Sequence, residues 1–302
     1  MRAIVIGGSG QIGGWLLRAL AERGHAATGT YATVPSAGLA RLDATERAEA
    51  AAWLRAQDFD VIFYPAGFTW VDGCERDPAR ALASNLEEPW NLARVAADRG
   101  ARFVYFSSDY VFDGRSGPYA EGDPAHPLNA YGRAKLDAEA ALAGTLGASL
   151  LVVRTCWVFG PERQGKNFAY QLIRTLRAGR VLTCPSDQWS SPSYGPDVAL
   201  AAVGLAESGR DGLFHVAGPE WIDRPSFARA IAAAFALDPG RIAAVPTAEL
   251  GQGAPRPLRG GLRTPRLDGE WPGAMRPLAA ALTNFRARLD AGEGWADPRT
   301  GP

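Results

Sequence analysis

Lysine is almost missing from this chain. Of its 32 basic residues, only Lys135 and Lys166 are lysine; the rest are arginine. Cysteine is nearly as scarce. Cys74, Cys156 and Cys184 are scattered and odd in number, so they offer neither a zinc spacing nor a disulfide framework. The histidines, His25, His126 and His215, stand apart from one another, and no catalytic metal is expected. The 32 acidic residues cancel the 32 basic ones, so no excess charge points to nucleic acid and no charge block forms a tail. No apolar run approaches the ~20 residues of a membrane span. The chain enters a strand pattern at once, without a charged-then-apolar leader. The expectation is a cytoplasmic protein that meets neither nucleic acid nor membrane. Its 302 residues allow one large domain or two smaller ones, and a hydrophobic content of 47% supplies a sizeable core.

The rarity of lysine makes Lys135 conspicuous. A site that keeps a compact ammonium where arginine is otherwise used throughout needs that ammonium. Tyr131 lies four residues before it, a spacing that puts both side chains on one helical face, one turn apart. An ammonium beside a phenol favours the phenolate and is expected to lower the tyrosine pKa. A serine hydroxyl nearby completes a proton donor suited to a carbonyl oxygen turning into an alcohol. An ordinary exposed pair on a helix is the bland alternative.

Ala3-Ile4-Val5-Ile6 is a short apolar run that ends in Gly7-Gly8-Ser9-Gly10-Gln11-Ile12-Gly13, and Trp15 to Leu20 follow with helical spacing. Strand, glycine turn and helix make the context in which G-x-G-x-x-G cradles a dinucleotide pyrophosphate against free N–H groups. The second strand, Ala26 to Tyr31, runs into Thr28-Gly29-Thr30-Tyr31-Ala32-Thr33 without an acid for a ribose 2′-hydroxyl. That absence favours NADPH weakly over NADH. Asp43 has two readings, the adenine edge or the cap of a helix from Glu46 to Leu54 through a capping box.

Further strands are expected at Val61–Tyr64, ending in Pro65-Ala66-Gly67, at Arg102–Phe106, delivering Ser107 and Ser108, and at Leu150–Arg154. Helices are expected over Ala79–Asp98, carrying Asn85, and after an Asn129 cap as far as Gly144. Strand and helix alternate, which predicts an α/β fold with a doubly wound parallel sheet, the Rossmann arrangement. Less regular sequence follows. Lys166 to about Ala178, Asp197–Ala206 and a stretch from Pro225 to Phe235 read as helices, and Leu213–Val216 as a strand. Arg256, Arg259, Arg263 and Arg266 lie among prolines. Arginines on a stiff loop suit a diphosphate; a solvated basic loop is an equal reading of any one of them.

Six segments in order now resemble a known family. They are the glycine turn, Ser107-Ser108-Asp109-Tyr110-Val111-Phe112-Asp113-Gly114, Tyr131-Gly132-x-x-Lys135, Arg154-Thr155-x-Trp157-Val158-Phe159-Gly160, Asn167-Phe168 and Asp187-Gln188. Together they look like the dTDP-4-dehydrorhamnose reductase group of extended short-chain dehydrogenases/reductases. That group also contains the NADP-binding regulatory beta subunit of methionine adenosyltransferase. The resemblance implies Ser108, Tyr131 and Lys135 as the catalytic trio acting on a nucleotide-linked 4-keto-6-deoxy sugar. It implies Gly7, Gly10, Gln11, Ile12, Gly13, Asp43, Ala66 and Gly67, with Tyr131 and Lys135, around the cofactor. It places substrate contacts on Thr69, Val71, Trp157, Asn167 and Gln188, to which the loop arginines Arg256 and Arg259 are added. A homodimer paired through helices is open to such a chain, and so are the regulatory role and an epimerase or dehydratase chemistry. Two units are expected: residues 1–165 with a return segment at about 195–217 for the dinucleotide, and a smaller C-terminal α/β domain, 166–194 with 218–302, for the substrate.

Overall fold

The computed structural model describes residues 1–293 and 295–299. Residue 294 and the end of the expected second domain, 300–302, lie outside them. Strands β1 (Arg2–Val5), β2 (Ala26–Tyr31), β3 (Ala40–Arg41), β4 (Val61–Tyr64), β5 (Arg102–Ser108) and β6 (Leu150–Thr155) are joined at one edge by Gly212–His215. Across the sheet the order is Gly212–His215, β6, β5, β4, β1, β2, β3. Every neighbouring pair is parallel. The order reverses between β1 and β4, and a crevice opens at the carboxyl ends of strands at such a switch point.

Both faces of the sheet are covered, which explains why β4 and the first four residues of β6 are unbroken apolar runs. On one face the helices Gln11–Glu22 and Gly195–Glu207 bury Trp15, Leu16, Leu20, Val198 and Val203. On the other, Arg47–Arg55, Glu88–Asp98 and Ala130–Leu146 bury Leu54, Leu92 and Leu142. Each such fully buried side chain stabilises the fold by about 1.5–3 kcal/mol. A third cluster gathers Tyr170, Phe227 and Phe285 from Phe168–Arg177, Arg224–Ala234 and Leu278–Asp290.

Three local expectations are corrected. The span read as one helix, Ala79–Asp98, is broken: Pro78–Leu82, a π turn at Ala83–Glu87, then Glu88–Asp98. Pro89 has no N–H to offer the Asn85 carbonyl four residues earlier, and the Tyr105 hydroxyl donates to that carbonyl instead at 2.7 Å. The helix bearing Tyr131 passes through Gly144 and stops at Leu146, before Gly147 at φ 52°. The capping box at Asp43 does not form. Asp43 accepts from the Thr45 amide at 3.1 Å and hydroxyl at 2.6 Å, and the helix begins at Arg47 without a side-chain cap.

Candidate active site

The glycine turn is built by backbone geometry. Gly7 carries φ 89°, a region that favours glycine. The Gly10 amide donates to the Gly7 carbonyl at 3.0 Å, and a Cβ on Gly13 would fall 2.1 Å from that same oxygen. Thr30 on β2 steadies the turn by accepting from the Gly7 amide at 3.1 Å. The helix Gln11–Glu22 begins after Gly10 with no side-chain cap and no acid in its first turn. Its N–H groups and positive dipole end are therefore free for an anion.

From this turn a cavity of about 940 Å³ runs along the strand ends. Gly7, Gly10, Gln11, Ile12, Gly13, Asp43, Ala66 and Gly67 line one part of it, with Ser108, Tyr131 and Lys135 further along. Its wall fits a polar dinucleotide on an independent ground. Gln11 Nε2, Ser107 Oγ and Thr155 Oγ1 are buried without hydrogen-bond partners, and all three residues line the cavity. Buried polar atoms are seldom left unsatisfied.

Ser108 ends β5, while Tyr131 and Lys135 stand on the helix Ala130–Leu146. Asn129 caps that helix by accepting from the Gly132 amide at 2.9 Å, as its sequence position suggested. Gly132 lets the helix approach the turn Asp109–Val111 after β5, since a Cβ there would lie 2.1 Å from the Tyr110 carbonyl oxygen. All three side chains are buried. The Lys135 ammonium donates to the Phe106 carbonyl at 2.9 Å and lies 4.6 Å from the centre of the Tyr105 ring.

The electrostatics differ from the expectation that lysine lowers the phenol. Burial pushes the Tyr131 phenol up, opposed in part by the neighbouring Ser108 hydroxyl. Burial also pulls Lys135 down to about 7, with Glu139 and Cys74 acting the other way. Removing both groups from water outweighs the help each could give the other. The result is a phenol that keeps its proton at neutral pH and an ammonium that loses its charge easily. Beside them Asp109 is buried, accepting from Ser108 at 3.2 Å, Ser190 at 3.1 Å and the Gly261 amide at 3.1 Å.

Of the residues expected to meet substrate, Thr69, Val71, Trp157 and Asn167 line the cavity. Asn167 does so from the N-cap of Phe168–Arg177, its Oδ1 accepting from the Ala169 amide at 3.1 Å. Gln188, Arg256 and Arg259 are not in the cavity wall. Gln188 donates to Thr247 at 3.1 Å and Gln252 at 3.2 Å. Arg256 is paired with Asp72 at 2.9 Å. Arg259 stacks on Trp221 and Trp189. These side chains hold the loop after Pro255 to its neighbours.

Among the wall residues that sequence reading missed, four stand out. Glu162 is buried and accepts from the Lys166 amide at 2.7 Å and the Asn167 amide at 2.5 Å, ordering that loop. Gln164 donates to the Ser9 carbonyl of the glycine turn at 3.1 Å. Glu88 is buried, and its carboxyl is pushed up to about 7 by burial and by Asp43. Arg224 reaches the wall from a helix more than 200 residues beyond the turn. Nothing in the local sequence separates it from the chain's other arginines.

The profile of the RmlD substrate binding domain matches residues 1–290. A dTDP-4-dehydrorhamnose reductase of Burkholderia thailandensis is 35% identical over 277 residues, covering 85% of this chain and 88% of that one. A probable low-salt glycan biosynthesis reductase of Haloferax volcanii is 34% identical over 277 residues, 89% of this chain and 92% of the relative. Among solved structures, the dTDP-4-dehydrorhamnose reductase of Bacillus anthracis in complex with NADP superposes with a TM-score of 0.86 at 25% identity, over 95% of this chain and 99% of that one. With a glycine turn, a Ser108–Tyr131–Lys135 floor and likeness along nearly its whole length, the chain belongs to the RmlD substrate binding domain family.

Proposed function

We propose that this protein reduces a dTDP-linked 4-keto-6-deoxy sugar at C4, with NADPH as the favoured cofactor. The observation that carries the reading is the meeting of Ser108, Tyr131 and Lys135 in one cavity with the glycine turn. The names of the relatives point the same way. The end of β2 carries no acid, which suits a 2′-phosphate better than a bare ribose.

In this reading Gly7, Gly10, Gln11, Ile12 and Gly13 hold the pyrophosphate, Asp43, Ala66 and Gly67 flank the adenosine half, and Tyr131 and Lys135 hold the nicotinamide ribose. When bound, the nicotinamide supplies the hydride for C4. Tyr131 holds the proton that the carbonyl oxygen takes as it becomes a hydroxyl, and its burial keeps that proton in place until then. Ser108 keeps the phenol aimed. Lys135, in its charged form, offsets the negative charge left on the phenol. Thr69, Val71, Trp157 and Asn167 flank the sugar nucleotide. Residues 1–165 with 195–217 serve the dinucleotide, and 166–194 with 218–302 the sugar. The reading extends to a cytoplasmic enzyme, with pairing through helices as its form of association.

The test follows NADPH absorbance with a dTDP-4-keto-6-deoxyhexose. Tyr131→Phe is expected to lower kcat by about 10²–10⁴-fold, the range of a lost general acid. Equal consumption by variant and wild type removes Tyr131 from its role. Wild type that turns over no keto sugar but retains a synthetase through purification supports the regulatory role instead. Cofactor that stays bound through gel filtration and is regenerated each cycle supports an epimerase or dehydratase.

A further inference from the structure

Arg224 opens the helix Arg224–Ala234, and its side chain lines the cavity. Its guanidinium carbon lies 3.3 Å from the centre of the Trp157 ring and 4.7 Å from that of Phe168, two rings that line the same cavity. Among the described residues no carboxylate pairs with this guanidinium and no acceptor is hydrogen-bonded to it. Two arginines with largely buried side chains differ: Arg256 is paired with Asp72 at 2.9 Å and Arg154 with Glu139 at 2.5 Å. Asp109 attracts Arg224 through its charge. Its oxygens, however, are already engaged by Ser108, Ser190 and the Gly261 amide.

Stacking satisfies the faces of a guanidinium but not its edge, where five N–H donors lie in one plane. That edge is unpaired and open to the cavity, where a ligand's acceptors can take the place of water. Burial pulls the group down only to about 10, so its charge survives at neutral pH. The root of the side chain is fixed: the Arg224 amide donates to the Gln188 carbonyl at 2.9 Å, and Asp223 caps the helix by accepting from the Ser226 amide at 2.7 Å. The ring beneath it is held too, since Trp157 stacks on Phe227 with ring centres 6.0 Å apart.

The geometry points to Arg224 as a specificity-determining residue whose fork receives a pair of oxygen acceptors from the nucleotide-linked sugar. Two sources present that chemistry: the phosphoryl oxygens at the anomeric end and vicinal oxygens of the hexose ring. The choice of ligand class rests on the reductase reading; the unpaired fork on its aromatic shelf does not.

Calorimetric titration of the NADP-saturated protein with dTDP-glucose and with dTDP tests the assignment without turnover. Arg224→Met is expected to weaken dTDP-glucose by at least about 20-fold, equivalent to about 1.8 kcal/mol. Arg224→Lys keeps the charge but loses the fork, and is expected to weaken it by at least about fivefold. If dTDP weakens in step, the acceptors are phosphoryl oxygens; if dTDP is unaffected, they belong to the hexose. NADP affinity, unchanged in both variants, shows that they are folded, and if the methionine variant does not fold the lysine variant decides. Affinity for dTDP-glucose within about threefold of wild type in the folded variants overturns the assignment, as does a wild type that binds neither ligand. A wild type that binds dTDP-glucose but reduces no keto sugar sinks the reductase reading and leaves Arg224 in place.

Discussion

At the glycine turn, the atoms that would face a pyrophosphate are the same atoms the fold needs. Gly13 is glycine because its Cβ would sit on the Gly7 carbonyl, and Gly7 because its φ is positive. At the floor of the same cavity, Tyr131 and Lys135 are polar groups held out of water, each displaced by burial from its ordinary pKa. The first region serves fold and chemistry together; the second keeps chemistry at the expense of fold. Substitutions in the turn should therefore lose stability and binding at once, whereas substitutions in the floor should separate the two.

The largest effect is expected from Gly13→Ala. The added carbon meets backbone 2.1 Å away, which cannot yield without moving the turn. A loss of about 3 kcal/mol in urea unfolding, together with loss of NADP affinity by titration, is expected. Retained affinity in a destabilised protein would break the comparison. Lys135→Met should do the opposite, removing turnover while raising stability by about 2 kcal/mol at pH 6. The sign follows from the depressed pKa. Below about 7 the folded lysine is charged and the full cost of burial is carried. Between about 7 and its ordinary 10.5 only the unfolded lysine is charged, so wild-type stability rises with pH and the variant's advantage shrinks. Chemical denaturation at pH 6 and 9 measures both, and a variant less stable than wild type at pH 6 contradicts the account.

The smallest effect sharpens the boundary between the two regions. Glu88 lies in the cavity wall near Asp43, with a pKa raised from 4.5 to about 7. The folded state therefore holds its proton more tightly than the unfolded one. That contribution is fully present below pH 4.5 and is lost as pH rises through 7. Wild type should lose about 1–2 kcal/mol between pH 5 and 8, allowing for solvent screening, and Glu88→Gln should be flatter by that amount. Parallel urea midpoints in the two proteins would show that Glu88 carries no such linkage.

What the sequence revealed follows the same divide. β2 and β4 end where their apolar and turn residues place them, at Ala26–Tyr31 and Val61–Tyr64. The glycine turn and the Tyr131–Lys135 spacing are local patterns, so they could be read before any folding was known. The break at Pro89 was also written locally, but its rescue by Tyr105 was not, because that hydroxyl arrives from a different strand. Arg224 and Gln164 gain their places only when distant segments meet. The setting of the loop arginines is hidden for the same reason: Arg256 pairs with Asp72, 184 positions earlier in the chain.

The π turn at Ala83–Glu87 has a consequence for how such a cleft is altered. A π turn amounts to one additional residue within a helix. Here it sets Asn85 beneath Gly67, with its Nδ2 donating to the Phe68 carbonyl at 3.0 Å and a Cβ on Gly67 excluded at 2.5 Å from its Oδ1. Removing one codon from this turn would bring the flanking helices toward ordinary α winding, with only the gap at Pro89 left. Only the support beneath the cleft would be withdrawn, so a single inserted amino acid is a self-contained part that the scaffold can accept or discard.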